Sequence, residues 1–327
     1  MKKKIYFAAI CCMAMLAGCQ QAEGIMNPSE ELIMSIEASI GDSNVVAGRY
    51  AGTTPNDVSF TDGDAVGVSV DGEGFVKWTY SSSGWSQQSE GAKNWKNKIE
   101  DHSFHAFYPY VEGAAMSSVS MPLLSGQMGD MNSVSHRDFL VASKTQKYGL
   151  DGKVSFTNEY AFSHVSSLVS ITLKGDADLA AATITKISID GANLFTPSTY
   201  AFESESEDVR VTLDMDESKR VNLLEVAMEH YMNSSDKTFY FVVNSATVDL
   251  SAVKLAVEYK FSENDKYKAE RTGLKKESDM VGKFESGKQY SYTLNIQDRA
   301  LIISGSNIKN WEAGESLGEI TINGTKQ

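Results

Sequence analysis

From Met34 onward, apolar residues recur at every second position, and that period restricts the chain to β-strands with one dry face and one wet face. Met34, Ile36, Ala38 and Ile40 alternate with Ser35, Glu37 and Ser39. The same rhythm runs through Val66, Val68 and Val70, through Val76, Trp78 and Tyr80, and through Val169, Ile171 and Leu173. It returns from Val209 to Met215, from Val253 to Phe261 and from Tyr290 to Ile296. Strands of this kind bury their dry faces by pairing into antiparallel sheets that stack in twos. One stretch departs from the pattern: Val221 to Met232 places Leu224, Met228 and Tyr231 on one helical face, and a short helix is expected there. The length, 327 residues, suits two domains. The expected fold is therefore all-β, two tandem sandwiches spanning 34–176 and 177–327. They divide near Lys174 to Thr183, where a Gly175-Asp176-Ala177-Asp178 turn and the small residues from Leu179 to Ala182 interrupt the strands.

The N-terminus is of another kind. Lys2, Lys3 and Lys4 precede an apolar run from Ile5 to Leu16, too short to cross a bilayer permanently and typical of a signal peptide, residues 1–18. The run ends in Leu16-Ala17-Gly18-Cys19, which matches the lipobox of bacterial lipoproteins. The chemistry requires a thiol at that point, because Cys19 takes a diacylglyceryl group before cleavage makes it the first mature residue. An ordinary signal peptide containing a cysteine is the alternative reading. Residues 19–33 then form a lipidated tether. Gln20, not Asp, follows the cysteine and points to the outer membrane, and so to a protein exported to the cell surface. All three cysteines, Cys11, Cys12 and Cys19, lie in this segment, so the mature chain has no disulfide and no thiolate chemistry.

Charge and motif inspection remove whole classes of function. There are 43 acidic against 30 basic residues, a net charge of −13 that repels phosphate backbones and excludes a nucleic-acid partner. His102 and His105 are three apart, which on a strand sets them on opposite faces. His136, His164 and His230 are scattered, and no H-E-x-x-H occurs. No catalytic site, metal site or cofactor is implied. Aromatic residues crowd the stretch from Phe75 to Tyr110. Trp78 and Tyr108 read as core, whereas Trp85 and Trp95, set among Ser, Gly, Gln and Lys, read as loop residues able to contact a surface ligand.

Five segments together resemble the fimbrillins, pilin-like lipoproteins of protease-assembled (type V) pili. Phe60-Thr61-Asp62-Gly63-Asp64-Ala65-Val66-Gly67-Val68 resembles the family's F-x-x-G-D-x-I-G-V strand. His105-Ala106-Phe107-Tyr108-Pro109-Tyr110 resembles its Y-x-A-Y-Y-P strand, with His105 where an aromatic is usual. Phe162-Ser163-His164-Val165-Ser166-Ser167-Leu168 is similar to F-x-H-x-x-S-K-L, the segment from Phe284 to Ile296 to F-x-x-G-K-x-Y-x-Y-x-L-N-V, and Ile308 to Gly314 to I-x-x-W-x-x-G. Each is weak alone. Five in order behind a lipobox are specific.

The resemblance implies two transthyretin-like sandwiches and structural work. In such proteins an arginine-specific protease removes an N-terminal strand, and the emptied groove accepts a strand from another subunit. Carried onto this chain, Met34, Ile36, Ala38 and Ile40 line the strand that would leave. Arg49, followed by Tyr50, marks the cleavage point, with a solvated surface arginine as the alternative. Ile320 and Ile322, in Glu319 to Asn323, mark a donor strand, with an ordinary edge strand as the alternative. The expected partners are other pilus subunits, the outer membrane through the lipid, and a host or glycan ligand. The competing function is a surface lipoprotein that does not polymerise and binds a glycan or host protein through its loops.

Overall fold

The computed structural model describes residues 32–41, 59–175, 179–204, 210–245, 250–274, 284–297 and 300–311. In the N-terminal half the strands are β1 (Ser35–Ala38), β2 (Ala65–Val70), β3 (Phe75–Ser81), β4 (Gly84–Gln87), β5 (His102–Tyr108), β6 (Val119–Ser120), β7 (Leu140–Gln146), β8 (Lys153–Phe156) and β9 (Ser163–His164). There follow β10 (Ser167–Leu173), β11 (Thr183–Asp190), β12 (Ser198–Tyr200), β13 (Val211–Leu213), β14 (Leu223–Tyr231), β15 (Lys237–Val243), β16 (Lys254–Ser262), β17 (Asp265–Thr272), β18 (Lys288–Gln297) and β19 (Ala300–Asn310). One short α-helix, α1 (Met131–Ser135), lies between β6 and β7, capped by Asp130, whose side chain accepts from Ser133 N–H.

The all-β expectation is met. A six-stranded sheet in the order β4-β3-β2-β5-β7-β9 forms one layer of the N-terminal sandwich, and the β1-β8 pair closes its other face. Both layers feed one core that includes Met34, Ile36, Val66, Val68, Trp78, Phe104, Leu140, Val154 and Phe156. The C-terminal half is an eight-stranded sheet in the order β14-β11-β16-β17-β19-β18-β10-β15. Its middle is a crease, since β17 and β19 share only the Glu270–Ala300 pairing. The two four-stranded halves fold on that crease over a single core. Most pairings are antiparallel, as expected, but β1-β8, β10-β18 and β17-β19 run parallel.

Local sequence explains the tight turns. The β2-β3 hairpin reverses at Asp71-Gly72, both with positive φ (49° and 74°), while Glu73 N–H donates to Val70 O at 3.0 Å. Asp and Gly are the residues that tolerate such a turn. Gly67 on β2 is required for space, because a Cβ there would stand 2.5 Å from the Phe107 ring.

The helix expected at Val221 to Met232 is a strand. β14 pairs antiparallel with β11, with Leu224 and Val226 buried and Glu225, Ala227 and Glu229 exposed. The helical spacing of Leu224, Met228 and Tyr231 overlaps a period-2 pattern in the same residues, and pairing to a buried neighbour selected the latter. Sheet membership changes over between β9 and β10. Ser167–Leu173, on the N-terminal side of the boundary expected at 176, thus belongs to the large sheet.

The halves are also strapped together. Residues 109–139, between β5 and β7, cross to the second sandwich: β6 pairs with β12 in a three-stranded sheet β13-β12-β6, and Met121 N–H donates to Ser198 O. A third apolar cluster, with Phe107, Met116, Val119, Phe139, Tyr200 and Phe202 among its members, fills the junction. Farther along, the buried Gln127 side chain imitates a strand. It accepts from Val242 N–H and donates to Val242 O and Leu124 O, each at 2.8 Å, closing the β15 edge.

Candidate functional site

The site is the seat of β1. Its alternation places Leu32, Met34, Ile36, Ala38 and Ile40 in the N-terminal core, all under a tenth exposed, while Ile33, Ser35 and Glu37 face outward. Backbone bonds fix it along β8: Ser35 N–H donates to Gly152 O (3.3 Å), Ser39 N–H to Phe156 O (3.0 Å) and Gly41 N–H to Phe162 O (2.8 Å). Phe162 N–H returns a bond to Ser39 O (2.9 Å). Among the described residues β1 pairs with no strand but β8, so it could be withdrawn without parting any other pair. Four large apolar side chains leaving this core would cost roughly 6–12 kcal/mol, at about 1.5–3 kcal/mol each. That is comparable with the whole stability of a domain. Loss of the segment would therefore destabilise the N-terminal sandwich strongly.

Trp95 holds the N-terminal end of this seat. Its backbone N–H donates to Leu32 O at 3.0 Å and its Nε1–H to Gly152 O at 2.7 Å. Its ring packs edge-on against Phe104 (4.9 Å), Tyr148 (5.3 Å) and His102 (5.7 Å). The surface role expected for Trp95 is therefore overturned, since 4% of it is exposed. Polar neighbours in sequence suggested a loop, and a loop it is, but one folded down onto the core. Trp85 is half-buried on β4, edge-on to Phe60 at 5.0 Å and beside Tyr80 at 5.1 Å. Gly152, with φ of +64°, completes the seat: a Cβ there would stand 2.6 Å from Ile33 O.

Leu32 lay in phase with Met34 and was readable. The roles of Trp95, Gly152 and Phe162 as walls of the seat needed tertiary contacts. Cys19, Arg49, Tyr50, Ile320 and Ile322 lie outside the described residues. Arg137, the next arginine after Arg49, is tied down: its guanidinium donates to Ser125 O, Gly126 O and Ser133 O.

Beside Trp95 lies a polar cluster. His102 Nδ1 is 2.8 Å from Asp71 Oδ2, and Ser103 N–H donates to Asp71 Oδ1 at 2.9 Å. Lys96 Nζ is 3.2 Å from the same carboxylate. Burial pushes the Asp71 carboxyl up, but the bonds from His102, Ser103 and Lys96 outweigh it and hold the carboxyl below its ordinary range. His105 is bonded elsewhere, to Ser143 Oγ at 2.9 Å. Among the described residues no cluster of His, Cys, Asp and Glu could hold a metal ion.

The five sequence motifs meet in space, the first with the second and the last three with one another. Tyr108 O–H donates to Asp64 Oδ1 at 3.1 Å, and Asp64 also closes its own turn by accepting from Thr61 N–H at 2.7 Å. His164, buried and bonded to the buried Asp138 at 2.9 Å, stacks on Trp311 with centroids 4.0 Å apart and planes 9° from parallel. Ser286 Oγ donates to Val165 O, and Gly287 N–H to Ser166 O. Trp311 N–H in turn donates to Gly287 O. Tyr290 accepts from Glu285 N–H through its buried hydroxyl, whose pKa is pushed up to about 12 by burial.

Comparison with known proteins fits this geometry. A candidate cell adhesion protein from Bacteroides uniformis ATCC 8492 superposes with a TM-score of 0.57 at 18% identity, over 84% of this chain and 98% of its own. Another from Bacteroides ovatus ATCC 8483 gives 0.58 at 17% identity, over 88% and 100%. At such identities the likeness speaks for the fold alone. No curated protein sequence matches the chain. The fimbrillin-like family matches residues 51–311, most of the length, and the chain belongs to that family.

Proposed function

We propose that this protein is a surface-anchored pilus subunit that polymerises by strand exchange. On this reading Cys19 carries acyl chains that hold the precursor to the outer membrane. Cleavage after Arg49 frees β1, and the strand containing Ile320 and Ile322 of another subunit takes its seat. The observation that carries the reading is the seat itself. The short segment 32–40, whose strand β1 is paired on one side, delivers five apolar side chains to the N-terminal core. Family membership supports a pilus-related surface protein, and the locked guanidinium of Arg137 leaves Arg49 as the better protease target in the N-terminal half. Burial of Trp95 removes one of the two residues on which loop-mediated ligand binding rested.

Treatment of the purified precursor with an arginine-specific protease tests this. The expected result is a trimmed chain that starts at Tyr50 and gives ladders on an unboiled denaturing gel. A chain trimmed at that bond that stays monomeric would count against exchange.

A further inference from the structure

We propose that the end of the N-terminal sandwich where the tether joins is a membrane foot, with Ile33, Ile99 and Leu150 resting on the bilayer that holds the lipid of Cys19. This rests on the anchor assigned above. These three side chains are 69%, 76% and 108% exposed, among the most exposed large apolar residues of the described chain. They sit on three separate segments that Trp95 gathers at one place: its backbone holds Leu32, its indole N–H holds Gly152, and its ring meets Tyr148. Lys98 Nζ lies 5.4 Å from the centre of the Tyr148 ring, tying the segment of Ile99 to the loop of Leu150.

The chemistry of the patch suits a lipid surface. Tyr148, half-buried between the loops, has the apolar body and polar tip that settle at headgroup level. Lys93, Lys96, Lys98, Lys147 and Lys153 stand among Glu37, Asp71, Glu73, Glu100, Asp101 and Asp151, with Lys93, Lys96 and Lys153 in ion pairs, so this end is within one charge of balance on an otherwise acidic chain. Lipid phosphates would repel most of the molecule but not this end.

The occupant follows from where the tether enters. Residues 19–31 link the acylated cysteine directly to Leu32, spanning at most roughly 45 Å. Such a leash keeps the patch at a high effective concentration against the bilayer, so three apolar contacts too weak to bind alone become populated. Cleavage after Arg49 would remove the lipid and Ile33 together, releasing both grips in one step.

The test uses the full precursor, acylated in a host that processes lipoproteins and reconstituted in phosphatidylethanolamine–phosphatidylglycerol vesicles. Cys11 and Cys12 leave with the signal peptide and the Cys19 sulfur is alkylated, so Leu150→Cys or Ile99→Cys gives a single site for an environment-sensitive dye. Phe261→Cys, at an exposed position on β16 of the large sheet, is the control. With doxyl-labelled lipid added, the dyes at 150 and 99 should lose about half their emission, as expected at a depth of roughly 5–10 Å, and the dye at 261 should keep its own. Unquenched dyes on a chain whose mass shows the acyl groups would overturn the foot and leave the anchor standing. Emission that shifts with protein concentration and ignores the quencher would overturn it in favour of a second copy. A mature chain without acyl mass would overturn anchor and foot together.

Discussion

The two sandwiches meet the problem of an exposed sheet edge in opposite ways. In the second, the edge strand β15 is closed by Gln127 from the same continuous strap that fills the junction with Phe107, Phe139 and Tyr200. In the first, the core is closed by β1, a strand whose one strand partner is β8 and which is contributed from beyond residues 42–58. One closure is a side chain anchored within the fold; the other is a strand with apolar weight but few neighbours. The difference shows where the proposed strand exchange would act: β1 pairs with a single strand and leaves no other pairing broken, whereas the second edge is closed from within a continuous strap.

The largest effect that would test this contrast is removal of β1. A chain beginning at residue 42 should lose roughly 6–12 kcal/mol from the N-terminal sandwich, seen as a separate early transition in denaturant. A synthetic peptide of residues 32–41 should restore it. If the transition stays single and unshifted, β1 is not the closure described. Gln127→Ala, by contrast, should cost about 3 kcal/mol from lost bonds and an unsatisfied Val242 N–H, with or without β1. Dependence of that cost on β1 would show that the two edges are coupled.

Smaller effects sharpen the picture. Gly152→Ala should cost about 2 kcal/mol in the full chain, because of its positive φ and the close approach of Ile33 O. In the chain lacking β1 the cost should shrink to that of the backbone conformation alone, which a thermodynamic cycle measures. The smallest effect concerns pH. The Asp71 carboxyl is held below its ordinary value of 3.8, so its contribution is complete above that value and fades as the pH falls through the lower folded one. Asp71→Asn should leave stability at neutral pH slightly reduced and flatten its decline in acid.

Much of this architecture was legible in the residues themselves. Alternation gave the strands from Ser35 to Ile296, and the dry face of β1 was read residue by residue. It erred at Val221 to Met232, where two periods coexist in the same letters and only pairing with β11 could choose between them. Trp95 misled because local polarity reports a loop but not where the loop goes. The motifs were visible as strings, yet their meaning was not: Asp64 meets Tyr108 and His164 meets Trp311 across 44 and 147 positions.

By its own pattern, then, the chain determined that it would be a two-layered β protein, because period and burial are properties of neighbouring residues. Which strand would be singly held, which edge would be strapped, and that Trp95 would gather three loops were decided only by tertiary structure. Those outcomes depend on contacts between segments far apart along the chain, whose meeting no local pattern encodes.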